Sequence, residues 1–139
     1  MPDGEHLIPF GEARLVQEGS DVTIVAISRM VLRATAEQLA DEGINVEIID
    51  PRTVVPLDLD AIVKSVEKTG RLIVAHEGYT RCGIGAEIAT RVVEEALYSV
   101  EKPIKRVCGR NVPVPFAPVL ENYVIPGTAD LVRAVKEML

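Results

Sequence analysis

Histidine and cysteine are scarce in this sequence. Cys82, Cys108, His6 and His76 are the only ones among 139 residues, the two cysteines lie far apart, and no Cys-x-x-Cys pattern occurs. Neither a zinc site nor a disulfide framework is indicated, and two ordinary free thiols remain. Missing too is any run near the ~20 apolar residues of a membrane helix. Met1-Pro2-Asp3-Gly4-Glu5-His6 lacks the basic and apolar regions of a signal peptide, so a cytoplasmic, membrane-free chain is expected. Positive charge is in deficit: a net charge of −6 argues against nucleic-acid backbones as partners and leaves room for a basic protein partner. No internal repeat and no low-complexity tract is found.

What is present describes one compact domain, since 47% hydrophobic and 26% charged residues supply a core and a solvated surface. Residues 1–11 are polar with Gly and Pro and read as a linker or arm, and residues 12–139 as the domain. Ala13 to Val16 is a short apolar run, Glu18-Gly19-Ser20-Asp21 a turn signal, and Val22 to Ile27 a β-branched run typical of a buried strand. Two strands joined by a tight turn are expected there, the first antiparallel at an edge or beside its neighbour. A helix is expected over Met30 to Glu42, stopped by Gly43, then a strand over Val46 to Ile49.

The alternation continues. Leu59, Ile62, Val63 and Val66 have helical spacing, with Asp58 placed to cap and Gly70 to end that helix. Leu72 to Ala75 and Ile104 to Val107 read as strands, with a helical stripe of Ile88, Ala89, Val92 and Ala96 between them. A last helix carries Leu131, Ala134, Val135 and Met138, with Thr128 as its cap. Strands alternating with helices imply an α/β fold: a mostly parallel sheet covered on both faces.

Ligands of such sheets gather at the carboxyl ends of the strands, and three segments there carry candidate chemistry. In Asp50-Pro51-Arg52-Thr53-Val54-Val55-Pro56-Leu57-Asp58, Arg52 either grips an anionic group or a neighbouring subunit's carboxylate, or pairs locally with Asp50 or Asp58; the local pair is favoured. His76-Glu77 suggests acid–base chemistry, but adjacent strand residues point to opposite faces, which favours an interface or structural role. Arg81-Cys82-Gly83-Ile84-Gly85-Ala86-Glu87 opens a helix with exposed N–H groups. The third glycine of a dinucleotide fingerprint is missing at Ile88, so close packing is favoured over a phosphate site. Val112-Pro113-Val114-Pro115-Phe116-Ala117-Pro118 is too rich in proline for a central strand and reads as an extended surface segment. No catalytic, cofactor-binding or metal-ligating constellation emerges from the residues themselves.

The same segments carry a resemblance. Glu18 to Thr23, Ile49 to Asp58, His76-Glu77-Gly78, Gly83 to Ile88 and Val112 to Pro118 follow in order with matching spacers, and the chain from Ile8 to Leu139 resembles the C-terminal domain of beta subunits of pyruvate, branched-chain 2-oxoacid and acetoin dehydrogenases. More distantly it resembles the C-terminal domain of transketolases. Asn111 and Pro51 depart from that pattern. The resemblance implies a three-layer α/β/α sandwich of about five strands with one antiparallel strand. It also implies a place in an alpha2-beta2 heterotetramer beside an alpha subunit and a second beta subunit. Thiamine diphosphate and magnesium would sit elsewhere in the parent enzyme, which decarboxylates a 2-oxoacid and passes the acyl unit to a lipoyl group. This domain would be non-catalytic and serve assembly. By the same resemblance Glu101 and the carboxylate of Leu139 would dock the basic subunit-binding domain of the lipoyl acyltransferase, and Arg52, His76, Glu77 and Phe116 are candidate subunit-interface residues. An isolated domain with such a face uncovered is expected to self-associate. The rival readings are an independent module binding a nucleotide or flavin, and the tail of a transketolase-like enzyme.

Overall fold

The computed structural model describes residues 7–34 and 37–139. Strands β1 (Arg14–Gln17), β2 (Val22–Ala26), β3 (Val46–Asp50), β4 (Leu72–Tyr79) and β5 (Lys105–Gly109) form one sheet in the order β1-β3-β2-β4-β5. β2, β3, β4 and β5 run parallel, and β1 lies antiparallel to β3 at one edge. The tight turn after β1 is present, but it does not make a hairpin. β3 lies between β1 and β2, because β2 buries both of its faces and takes the centre, leaving β1, half exposed, to the edge.

Helices cover both faces. On one face α1 (Met30–Ala34), α2 (Glu37–Asp41) and α6 (Thr128–Lys136) pack Met30, Leu39, Leu131 and Val135 onto Ile24, Ile48 and Ile73. The single helix expected over 30–42 is described as these two pieces, with residues 35 and 36 outside the described residues. On the other face α3 (Leu59–Thr69) and α4 (Ile84–Ala96) pack Ile62, Val66, Ile88 and Val92 onto Val25, Ile49, Leu72 and Val74. Alternate residues of each strand feed the two cores, as a pleated strand requires. This is the three-layer sandwich expected from the sequence.

Local chemistry sets the helix ends. Asp58 caps α3 by accepting the Ala61 N–H at 3.1 Å, and its other oxygen takes the Ala13 N–H at 2.8 Å, tying the start of β1 to α3. Gly70 closes α3 at φ 69°, a conformation that costs glycine nothing, and its N–H reaches the Val66 carbonyl. The cap of α6 is Gly127, not Thr128. Asp130 reaches back to the Gly127 N–H at 2.9 Å, so the acid three residues on does the capping. An unforeseen helix, α5 (Pro118–Val124), follows the proline-rich segment with Pro118 in its first turn.

Polar side chains are also built into the α3 face of the sheet. The buried Thr23 hydroxyl bonds those of Ser65 at 2.6 Å and Thr69 at 2.7 Å. Burial of Glu47 opposes its charge, but bonds from Lys68, Ser65 and the Gly19 N–H outweigh that and hold its carboxyl below the usual range. These bonds fix the register of α3 along β2 and β3.

Candidate functional site

The carboxyl ends of β2 to β5 form the edge where an open α/β sheet receives ligands and partners. All three non-glycine residues with positive φ among the described residues lie there: Ser28 after β2, Arg52 after β3 and Cys82 after β4. Strained backbone concentrates where the surrounding fold dictates a loop's path.

At the centre of this edge stands His76. It ends the inward series Leu72, Val74, His76 of β4 and is 5% exposed. Its Nε2 accepts the Gly85 N–H at 3.2 Å, and the Cys108 Sγ of β5 lies 3.2 Å from the same nitrogen. An accepting Nε2 puts the ring proton on Nδ1. The two glycines of the turn make room for the ring. A Cβ on Gly85 would stand 2.9 Å from Nε2, and one on Gly83 2.8 Å from Cε1 and 2.1 Å from the Tyr79 carbonyl oxygen. Burial lowers the basicity of His76, and Arg106 lowers it further. Burial pushes the Cys108 thiol up, against the pull of Arg106 and of the bond to His76. Both groups are therefore neutral, so this is a structural pair and not an activated thiolate. The Gly85 N–H is committed to His76, and both glycines of the turn pack against its ring.

This arrangement has a pH consequence. His76 binds its proton less readily folded than unfolded, so its contribution to stability is complete above the ordinary histidine value of 6.5 and is lost as pH falls below it. Urea denaturation from pH 7.5 to 5.5 is expected to show stability falling with acid, and His76→Gln to flatten that fall. Equal slopes in the two proteins would show that His76 does not sense the proton.

Around His76 the β4 and β5 loops are latched together. The Thr80 N–H and hydroxyl both donate to the Gly109 carbonyl, at 3.1 and 3.0 Å, and Arg106 donates to the Thr80 carbonyl at 3.0 Å. Asn111 accepts the Arg81 N–H at 2.9 Å, a role an acid at that position fills equally well. Glu77 points to the opposite face from His76 and meets Arg29 at 3.7 Å across the ends of β2 and β4. Arg52 does not make the local ion pair favoured from the sequence. Asp50 accepts the Arg52 backbone N–H at 2.9 Å and both Asp58 oxygens are taken by N–H groups, so among the described residues the exposed guanidinium has no carboxylate partner.

Large apolar residues are exposed in the segments that follow the strands and in the segment leading into β1. Phe10, Val55 and Phe116 are almost wholly exposed, and Tyr79, Val112, Val114, Val119 and Tyr123 are at least half so or nearly so. The sequence singled out Phe116 but missed α5, whose outward face adds Val119 and Leu120. Exposed apolar residues gathered in this number are the raw material of a contact surface. The candidate docking carboxylates lie at the opposite, amino end of the sheet. Glu101 arches over Gly70, which it contacts closely, and meets Arg71 at 3.4 Å while staying largely exposed. Leu139, half exposed, follows the end of α6, two residues past Glu137, which pairs with Lys105 at the start of β5. Among the described residues no three His, Cys, Asp or Glu side chains gather as metal ligands, and no helix is long and apolar enough to cross a membrane.

Comparison with known proteins places these features in a family. Residues 11–131 match the model of the transketolase C-terminal domain. The chain is 44% identical over its full length to the beta subunit of acetoin:2,6-dichlorophenolindophenol oxidoreductase of Cupriavidus necator, covering 42% of that protein. It is 44% identical to the mitochondrial pyruvate dehydrogenase E1 component subunit beta of Dictyostelium discoideum, with 98% of this chain and 39% of that one covered. It thus spans about two fifths of the length of these relatives. Among solved structures, a split gene transketolase described as an inactive beta4 tetramer superposes with a TM-score of 0.83 at 30% identity, covering 95% of this chain and 43% of that one.

Proposed function

The chain belongs to the transketolase C-terminal domain family, and on that premise we propose that it is the assembly domain of a 2-oxoacid dehydrogenase beta subunit rather than a catalytic unit. The observation that carries this reading is the set of exposed apolar residues after the strands, above all the wholly exposed Phe116 beyond β5. In the parent enzyme these residues would be covered by the alpha subunit and the second beta subunit, with Arg52 free to reach a partner carboxylate. His76 would act from beneath by fixing the turn, while Glu77 and Phe116 face outward. Uncovered, the same residues support self-association of the isolated chain, in keeping with the beta4 assembly named for the transketolase neighbour.

Thiamine diphosphate and magnesium do not fit the residues present here. The glycine turn spends its amide on His76, and the described residues gather no ligand set. We therefore place both in other parts of the parent enzyme and derive no step through them. Glu101 and the Leu139 carboxylate remain our candidates for docking a basic subunit-binding domain of the lipoyl acyltransferase. Their position at the amino end of the sheet leaves these apolar residues to the other subunits.

The test is a chimera in which this chain replaces the matching segment of the Cupriavidus acetoin subunit beta, co-expressed with its alpha subunit. The chimera is expected to co-purify with alpha as a heterooligomer and retain acetoin-dependent dye reduction, whereas a subunit lacking the segment stays unassembled. A folded chimera that fails to bind alpha or itself would overturn the assembly reading.

A further inference from the structure

β5 is an edge strand, and among the described residues no backbone group pairs with the side of it that faces away from β4. Along that free side runs a groove of about 480 Å³ between β5 and α6. Consecutive residues of β5, Lys105 to Cys108, line it, and residues of both pleat directions can border one groove only along a strand's edge. In a chain of net charge −6 the groove is a basic exception. Lys105, Arg106, Arg110 and Arg133 border it against Asp130 and Glu137. Lys105 pairs with Glu137 and Arg133 with Asp130. Arg106 and Arg110 donate to the carbonyls of Thr80 and Tyr123, with Arg110 stacked 4.1 Å over the Tyr123 ring. Arg110 also helps to hold the Asp130 carboxyl below its usual range, but Asp130 pairs with Arg133, so among the described residues neither Arg106 nor Arg110 makes an ion pair of its own.

We propose that this edge receives an extended acidic segment of a partner protein, which adds a strand to β5 and sets its carboxylates against Arg106 and Arg110. The backbone ladder supplies binding, and the side-chain charges choose the partner. Charge also decides against the obvious alternative. Pairing β5 with the β5 of a second copy would bring the Lys105, Arg106 and Arg110 sets of both copies into one ladder, and like charges along an edge are a device that keeps strands from pairing with themselves. The proposal calls for contacts other than those of Glu101, Leu139 and Phe116, although Tyr123 borders both the groove and the apolar residues beyond β5, and Arg106 also belongs to the latch.

The probe is a short fluorescein-labelled peptide of alternating valine and glutamate, titrated against the full chain, with the valine–lysine counterpart as control. Anisotropy is expected to show binding of the acidic peptide alone, weakened about tenfold by raising salt from low to physiological strength. Hydrogen exchange is expected to show new protection within Lys105–Gly109. The double variant Arg106→Gln, Arg110→Gln should bind about tenfold more weakly still, and Arg106→Lys, Arg110→Lys should restore most of the affinity by restoring the charge. Equal binding of both peptides, an unaffected double Gln variant, or no binding of the acidic peptide would overturn the proposal. So would protection of β5 that rises with protein concentration in the absence of peptide, because that would identify a second copy as the occupant.

Discussion

Gly83→Ala is expected to destabilise the domain by about 2–4 kcal/mol, the range of a substitution that forces backbone apart in a packed turn. The new methyl would stand 2.1 Å from the Tyr79 carbonyl oxygen and 2.8 Å from the His76 ring. A carbonyl cannot swing aside as a flexible side chain does, and this one belongs to the strand that pairs with β5. The turn must open, which parts Gly85 from His76 and loosens the Thr80 to Gly109 latch. The urea midpoint should therefore drop and near-ultraviolet signals of Tyr79 should change, while far-ultraviolet helicity persists. A midpoint within a few tenths of a kcal/mol of the native protein would show that the turn shifts without cost.

Phe116→Asp is expected to do the reverse, leaving the isolated domain as stable as before and weakening subunit assembly about 100-fold. Being wholly exposed, the ring has no contact to lose among the described residues. An exposed aromatic residue covered by a partner is a usual bearer of interface energy, and a carboxylate there must be stripped of water when the partner closes over it. The measurement pairs urea denaturation of the isolated chain with sedimentation of the chimera and its alpha subunit. Loss of stability without loss of assembly would mean that Phe116 packs inward in solution and that the partner surface lies elsewhere.

What the sequence revealed, and what it hid, divides along the range of the interactions involved. β2 was legible because Val22 to Val25 is β-branched throughout and the strand is buried throughout. α3 was legible at both ends because Asp58 and Gly70 act on backbone groups within a turn of themselves. Thr128 misled because threonine is the commoner cap, whereas here Asp130 reaches back to Gly127. The partner of β1 was not legible, since pairing with β3 is decided by which strand can bury both faces. α5 was hidden by its own surface: Val119, Leu120 and Tyr123 face solvent, and so give no inward stripe to read. At the candidate site His76, the glycine turn and Arg52 were each noticed. Their arrangement was not, because the ring meets Cys108 only through the register of β4 on β5, and among the described residues the two aspartates near Arg52 accept backbone N–H groups in place of its guanidinium.

The order of the strands in space also bears on how the chain is made. β2 is the centre of the sheet, yet it leaves the ribosome before both strands that will flank it. β3 and β4 follow only after the first helices and α3 have been translated. Throughout that interval Val22-Thr23-Ile24-Val25-Ala26 is a bare, uncharged, β-prone segment of the kind that pairs with any strand it meets. Crowded polysomes then set neighbouring nascent chains in competition with the chain's own later strands. Yield in a foreign host will accordingly depend on translation speed and chaperone supply between Ala26 and Tyr79 more than on the stability of the finished domain.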